Sequence, residues 1–458
     1  FGDAVQRVIN NSPQFAASTS LPTVNGRALC TLPNLQAEPG DSVRFHVLAP
    51  TTDSHVHAVR LEGHGITVDG HRLQAVPAFP GSTPSFTVVA KGGSWELSDG
   101  NVDAFSGGMR ASLHVTGPES FVHEATQTRT FYVAADEVEW DYAPSGYNKC
   151  QFTSFASDED SAKCMIQGRH RIGRTYVKAQ YRRYTDDSLQ RLQSGTASRA
   201  NQVSRHLGLL GPIMTVEVGD ELVVVFKNNL RYPSNLVVEG PFQGDELESS
   251  SDGSVLDAVP PGGTKEYRWI VTEEMGPAAN DANSIVWSYS PVVFDESQGL
   301  TPSSMLHAGL MGAVIVVEEG QMKASQTMPQ GVNTEFIVLT GVIDENLSPY
   351  ITLNAERYAD DAVSIDYHDP EFQDSNRMHT INGFMYCNGD GWVTTLYETA
   401  RFYMLALDSG IHSLNLHGHS IVDHRSGHND FGASVFARGT TTGDVLVGSP
   451  GLWLLESS

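Results

Sequence analysis

Apolar and polar residues alternate along this chain in short stretches, each closed off by Gly, Pro, Asp or Asn. Ser42-Val43-Arg44-Phe45-His46-Val47-Leu48 alternates with a period of two, while Glu221-Leu222-Val223-Val224-Val225-Phe226 and Ala313-Val314-Ile315-Val316-Val317 are nearly continuous apolar runs. Period two places successive side chains on opposite faces of a strand, and a short apolar run between turn residues reads as a strand buried on both faces. No long stretch keeps the 3.6-residue period of an amphipathic helix. Many short strands with frequent turns predict an all-β protein of packed sandwiches, not a doubly wound α/β sheet.

The pattern repeats. Val24-Asn25-Gly26 followed by Cys30 matches Ile381-Asn382-Gly383 followed by Cys387, an offset of 357 (382 − 25). Gly93-Ser94-Trp95 matches Gly451-Leu452-Trp453 at 358 (453 − 95). His57-Ala58-Val59-Arg60-Leu61-Glu62-Gly63-His64 matches His412-Ser413-Leu414-Asn415-Leu416-His417-Gly418-His419 at 355 (412 − 57). Three anchors at nearly one offset mark two copies of one domain around a different middle unit. The expected divisions are 1–128, 129–345 and 346–458. The first copy runs past Trp95 to a strand near Ser112-Leu113-His114-Val115, whereas the second stops three residues after Leu455. It is therefore expected to lack its closing strand, with the chain a piece of something longer.

A length of 458 residues agrees with about three domains. The net charge of −25, from 29 basic and 54 acidic residues, repels phosphate backbones and anionic lipid, so no nucleic-acid partner is expected. No apolar run is long enough to span a membrane. Of four cysteines, Cys150 and Cys164 enclose a polar loop suited to one local disulfide, and Cys30 and Cys387, equivalent in separate copies, are expected not to pair with each other. Sequons at Asn10 and Asn346 point to a secreted glycoprotein, although the chain begins without a signal peptide. The acidic groups Asp158-Glu159-Asp160 and Asp360-Asp361 have the chemistry of calcium ligands but no ligand spacing, and read as solvated loops.

His412-x-x-Asn415-x-His417-Gly418-His419 resembles the His-x-x-His-x-His-Gly-His motif of the multicopper oxidases. Strand alternation is the logic of that motif, because residues two apart share a face and can aim imidazoles at one metal cluster. Glu139-Trp140-Asp141-Tyr142, Leu207-Gly208-Leu209-Leu210-Gly211-Pro212 and Glu371-Phe372-Gln373-Asp374-Ser375-Asn376 narrow the resemblance to ceruloplasmin, hephaestin and the A domains of coagulation factors V and VIII. The resemblance implies tandem cupredoxin, or plastocyanin-like, Greek-key β-sandwiches in an even-odd-even run.

It also implies where copper should bind, and there most ligands are replaced. A type 1 site needs two His and a Cys thiolate. His57 and His412 stand at the first His, but Asp99 and Ser457 stand at the Cys and Ala104 near the second His of the first copy. The trinuclear cluster takes four His from an odd and four from an even domain. Val237, Glu239, Ser290 and Val292 occupy the odd-domain places; the even domain keeps His417 but has Asn415, Glu456 and Ser458 at the others. In the first copy Arg60 and Glu62 replace cluster positions, which the resemblance makes unremarkable, since the family's internal even domains do not carry the cluster. His417, His419, His424 and His428 form a local group that could hold an adventitious cation, though a closed site needs three or four converging ligands. No bound cofactor is expected, copper and calcium being the only candidates. The expected function is a non-catalytic extracellular scaffold whose partners are other protein domains of the same or a partner chain. The alternative is part of a ferroxidase whose working copper sites lie outside this chain.

Overall fold

A computed structural model describes residues 21–33, 35–50, 56–100, 108–117, 125–193, 206–242, 258–293, 295–324, 328–408, 410–424, 427 and 429–457. Strands dominate, in three pairs of facing sheets. In the first unit a five-stranded sheet runs in the order Leu35–Ala37, Arg110–Val115, Gly93–Asp99, His57–Leu61, Val76–Ala78. Its partner orders Ser42–His46, Ser85–Val89, Ile66–Val68, His71–Leu73. Leu61, Ile66, Phe86, Val88, Trp95 and Leu113 fill the space between them. The opening strand lies parallel to the last, Leu35 beside Leu113, while hairpin neighbours are antiparallel, which is the Greek-key arrangement of a cupredoxin sandwich.

The middle unit repeats the plan with longer strands. Thr175–Tyr184, Gln127–Asp141, Asp220–Asn228 and Thr264–Ile270 form one sheet; Ile213–Glu217, Gly312–Val317, Ser284–Ser290 and Val237–Val238 form the other. Gly312–Val317 and Ser284–Ser290 are buried along their whole length, as their unbroken apolar or small-residue sequences require of central strands. In the third unit Arg377–Ile381, Thr334–Asp344, Thr399–Ala406, Thr440–Leu446, Ile421–Asp423 and Asn429–Asp430 make a six-stranded sheet. The facing sheet, Gly432–Phe436, Ile411–Leu416 and Leu455–Ser457, has three strands among the described residues against five in the first copy. Its inner face opens on a cavity of about 1150 Å³ lined by Phe336, Trp392, Leu416 and Val445.

Two sequence expectations need correction here. Thr334–Asp344, assigned to the middle unit by a boundary at 345, hydrogen-bonds between Arg377–Ile381 and Thr399–Ala406 and so belongs to the third sheet. An apolar run identifies a strand but not its partners. A core cluster also crosses this seam, joining Tyr142, Tyr176 and Leu209 to Ile343, Phe372, Met385 and Tyr403. The second correction concerns the disulfide, which joins Cys150 to Cys387 with Cα atoms 5.3 Å apart. Cys164 is a free thiol on the helix Glu159–Met165, and Cys30 is free and exposed. Asp158 caps that helix by accepting from the Ser161 N–H, which fixes Cys164 in regular structure. The turn of Cys387 instead docks on the loop of Cys150: the Lys149 N–H donates to the Tyr386 carbonyl at 3.1 Å, and Ser145 donates to Asn388. Proximity in sequence favoured the shorter loop; packing across the seam decided the pairing.

The repeat holds at the level of register. Val59 faces Asp99 and Leu61 faces Leu97 in the first unit, as Leu414 faces Ser457 and Leu416 faces Leu455 in the third. Trp95 and Trp453 each donate from the indole to the carbonyl four residues back, Lys91 and Ser449. Gly63 and Gly418, both at positive φ, lie flat against these rings, where a Cβ would come within 2.0 and 2.4 Å of ring carbons. Gly240 packs on Trp287 in the same way, so the middle unit carries the motif too.

Candidate functional site

The two positions where the resemblance would place type 1 copper bring their residues together. Register places Asp99 beside the strand of His57, and His57 Nδ1 lies 2.6 Å from Asp99 Oδ2. The other carboxylate oxygen of Asp99 accepts from the Ala58 N–H at 3.0 Å, and Asp99 is only 3% exposed. In the third unit the Ser457 hydroxyl lies 3.4 Å from His412 Nδ1, while His412 Nε2 meets Asp408 Oδ1 at 2.7 Å. Burial would raise the Asp408 carboxyl, but the His412 bond and the N–H groups of Val342 and Gly410 outweigh it and hold the carboxyl below its usual range. These donor sets, imidazole with a carboxylate or a hydroxyl, do not fit a type 1 ion: the soft thiolate is missing and the carboxylate oxygens are already engaged.

The remaining histidines of the third unit do not converge. His417 pairs with Glu456 at 2.9 Å, both about half exposed. His419 stands edge-on to Trp453, its ring centroid 5.6 Å away, repeating His64 against Trp95. His424 Nε2 binds Asp444 at 2.9 Å. Among the described residues no group of three or more His, Cys, Asp or Glu is placed to hold a metal ion. Ala104, His428, Ser458 and Asn10 lie outside the described residues.

Asp444 also accepts two bonds from Arg401, at 2.7 Å each, so burial, which alone would raise its carboxyl, is overcome and the group is held down at about 2. A depressed carboxylate contributes stability that is full above its unfolded value near 3.8 and is lost as pH falls towards 2. Asp444→Asn should therefore cost about 2 kcal/mol at neutral pH and flatten the acid limb of a stability-versus-pH curve between pH 4 and 2. An unchanged acid limb in urea titrations would refute this role.

The cluster positions are arranged differently from the sequence expectation, which counted the middle-unit set together with that of the third unit. Glu239 instead faces the first unit, accepting from Arg60 Nη1 at 2.8 Å. Both stand at cluster positions, and a cavity of about 70 Å³ lies between them, lined also by Glu62, Ser98, Ser290 and Val292. Val237 pairs with Ser290 across the strands. Asn415, His417 and Glu456 do not line this cavity.

The seam is further held by Gly65 N–H to Glu274 at 2.6 Å, His71 to Asp281 at 3.0 Å and Gln74 to the Ser288 hydroxyl at 2.8 Å. Arg438 reaches in from the third unit, donating to Glu239 at 3.4 Å. Arg438 and Gln74 escaped sequence reasoning because neither stands at a ligand position of the motif.

The acidic groups act as caps and partners: Asp360 accepts from Gln167 and Asp361 from Arg169. Asn346 donates both amide protons, to Asp344 and to the Gln373 carbonyl, so a glycan on that nitrogen would break at least one buried-edge bond and does not fit this arrangement.

Residues 194–279 match the family model described as multicopper oxidase. The chain is 30% identical to hephaestin of Homo sapiens over 460 residues, covering 96% of the chain and 37% of that protein. It is 28% identical to ceruloplasmin of Homo sapiens over 463 residues, covering all of the chain and 41% of that protein. It thus spans about two fifths of the length of these relatives. Among solved structures, a multi-copper oxidase from Pseudomonas Thermotolerans aligns at 17% identity and a TM-score of 0.42, covering 73% of the chain and 61% of that structure.

Proposed function

Because this chain is a ceruloplasmin- and hephaestin-like relative of the multicopper oxidases, we propose that it serves as a non-catalytic, extracellular cupredoxin scaffold in which former copper positions hold domains together. The Arg60–Glu239 pair carries this reading, since it sets opposite charges, and no imidazole, at two motif positions that face each other across the first and middle units. Asp99 and Ser457, beside His57 and His412, support it: neither can accept and release an electron through a soft metal bond. The Cys150–Cys387 bridge supports an oxidising, extracellular setting.

The alternative, a segment of a ferroxidase with working copper in other domains, draws on the fraction of its relatives that the chain spans. Protein expressed with excess copper separates the two. The scaffold reading expects metal well below stoichiometric, no intense thiolate charge-transfer band and no oxidation of ferrous iron above buffer. Stoichiometric copper with that band in this chain would overturn it. Activity in a longer natural protein, with this chain inert, would favour the alternative.

A further inference from the structure

The cavity between the first and middle units is unusual in what it leaves unmatched. Two guanidinium groups, Arg60 and Arg438, share the single carboxylate of Glu239, at 2.8 and 3.4 Å. The three side chains are 18%, 11% and 9% exposed. One carboxylate compensates one cation, and a second positive charge in a largely dehydrated place is costly unless something neutralises it. The hydrogen bonds leave the same gap: among the described residues Arg60 Nε, Arg438 Nη1 and the Ser303 hydroxyl are buried without a partner. Ser303 is 7% exposed, and all three residues line the cavity.

Glu62 and Asp99 also favour the Arg60 charge, whereas Arg438 is disfavoured by burial and by Arg60, with Glu239 as its one favourable charge among the described residues. Asp99 is bound to His57 and Glu96 to Arg110. Burial and the nearby charge of Glu96 push the Glu62 carboxyl up to about 8, so it keeps its proton near neutral pH.

We propose that this cavity binds one small monovalent anion of the size of chloride, held by Arg60 Nε, Arg438 Nη1 and the Ser303 hydroxyl. The positive surplus selects an anion, and about 70 Å³ admits a halide with a few waters but excludes phosphate esters and larger carboxylates. The two guanidinium charges also repel a copper ion, so a metal and the anion inferred here are mutually exclusive at this place. Arg438 comes from the third unit, so a bound anion would tie together residues of all three units.

Bromide soaked into crystals of the chain provides the direct test, because its anomalous signal distinguishes it from water. The expected result is a peak within hydrogen-bonding reach of Arg60 Nε and Arg438 Nη1; ordered water alone, without a halide peak, would overturn the proposal. In solution, melting temperature should rise with chloride but not with gluconate at equal ionic strength, following the linkage of a ligand that binds only the folded state. Ser303→Ala, which removes one donor and no charge, should weaken the apparent chloride affinity about fivefold, the loss of one hydrogen bond. Equal stabilisation by chloride and gluconate in the parent chain would also sink the idea.

Discussion

Replacing Glu239 by alanine should destabilise the chain by about 3–5 kcal/mol, since it strips from two buried guanidinium groups the one direct carboxylate partner they have among the described residues. The size follows from asymmetry. An intact buried ion pair contributes little net stability, because the attraction of the charges is spent on removing them from water. Breaking the pair from one side leaves the desolvation cost with nothing against it, and here it does so for Arg60 and Arg438 together. Removing all three charges should be far milder. Arg60→Met, Glu239→Leu and Arg438→Met combined should return stability to within a few kcal/mol of the parent, or exceed it. Urea unfolding of the single and triple variants measures both numbers, and a Glu239→Ala loss below about 1 kcal/mol would show that water already solvates the guanidinium groups. Chloride gives a further check: the alanine variant, which has lost the carboxylate shared by both guanidinium groups, should be stabilised by chloride more than the parent.

Much of this was legible from residue order because strand alternation and motif spacing are local. The pairing of His57 with Asp99 and of His412 with Ser457 follows from aligning two copies of one motif, and register delivers it, Val59 opposite Asp99 and Leu414 opposite Ser457. What sequence could not supply was which half-site meets which. Glu239 and Arg60 lie 179 residues apart, and nothing local distinguishes Arg60 from Asn415 as the facing partner. The same blindness misplaced Thr334–Asp344, whose alternation fits either sheet, and left out Arg438, whose role comes only from a loop between Gly432–Phe436 and Thr440–Leu446 reaching across a seam. A histidine cluster read from spacing at His417, His419 and His424 dissolved for a related reason: each imidazole has its own surroundings, Glu456, the Trp453 ring and Asp444.

The disulfide is where long-range packing has the largest measurable consequence after Glu239. Cys150 and Cys387 are separated by 237 positions, and a cross-link closing so long a loop removes about 5 kcal/mol of chain entropy from the unfolded state in the simplest account. Loss of a native disulfide typically costs about 2–5 kcal/mol, and the upper half of that range is expected for Cys150→Ser with Cys387→Ser. The Lys149–Tyr386 and Ser145–Asn388 hydrogen bonds would survive the change, so the folded seam should keep its geometry while the unfolded chain gains freedom. Cys164→Ser, by contrast, removes a free thiol from a partly buried helix and should change stability by less than about 1 kcal/mol. Thermal unfolding of the two variants, with peptide mapping under non-reducing conditions, separates this pairing from the local loop. A map linking Cys150 to Cys164, or equal losses from both variants, would mean that the turn at Tyr386-Cys387 is not docked on the loop of Cys150, and the shared core across the seam would fall with it.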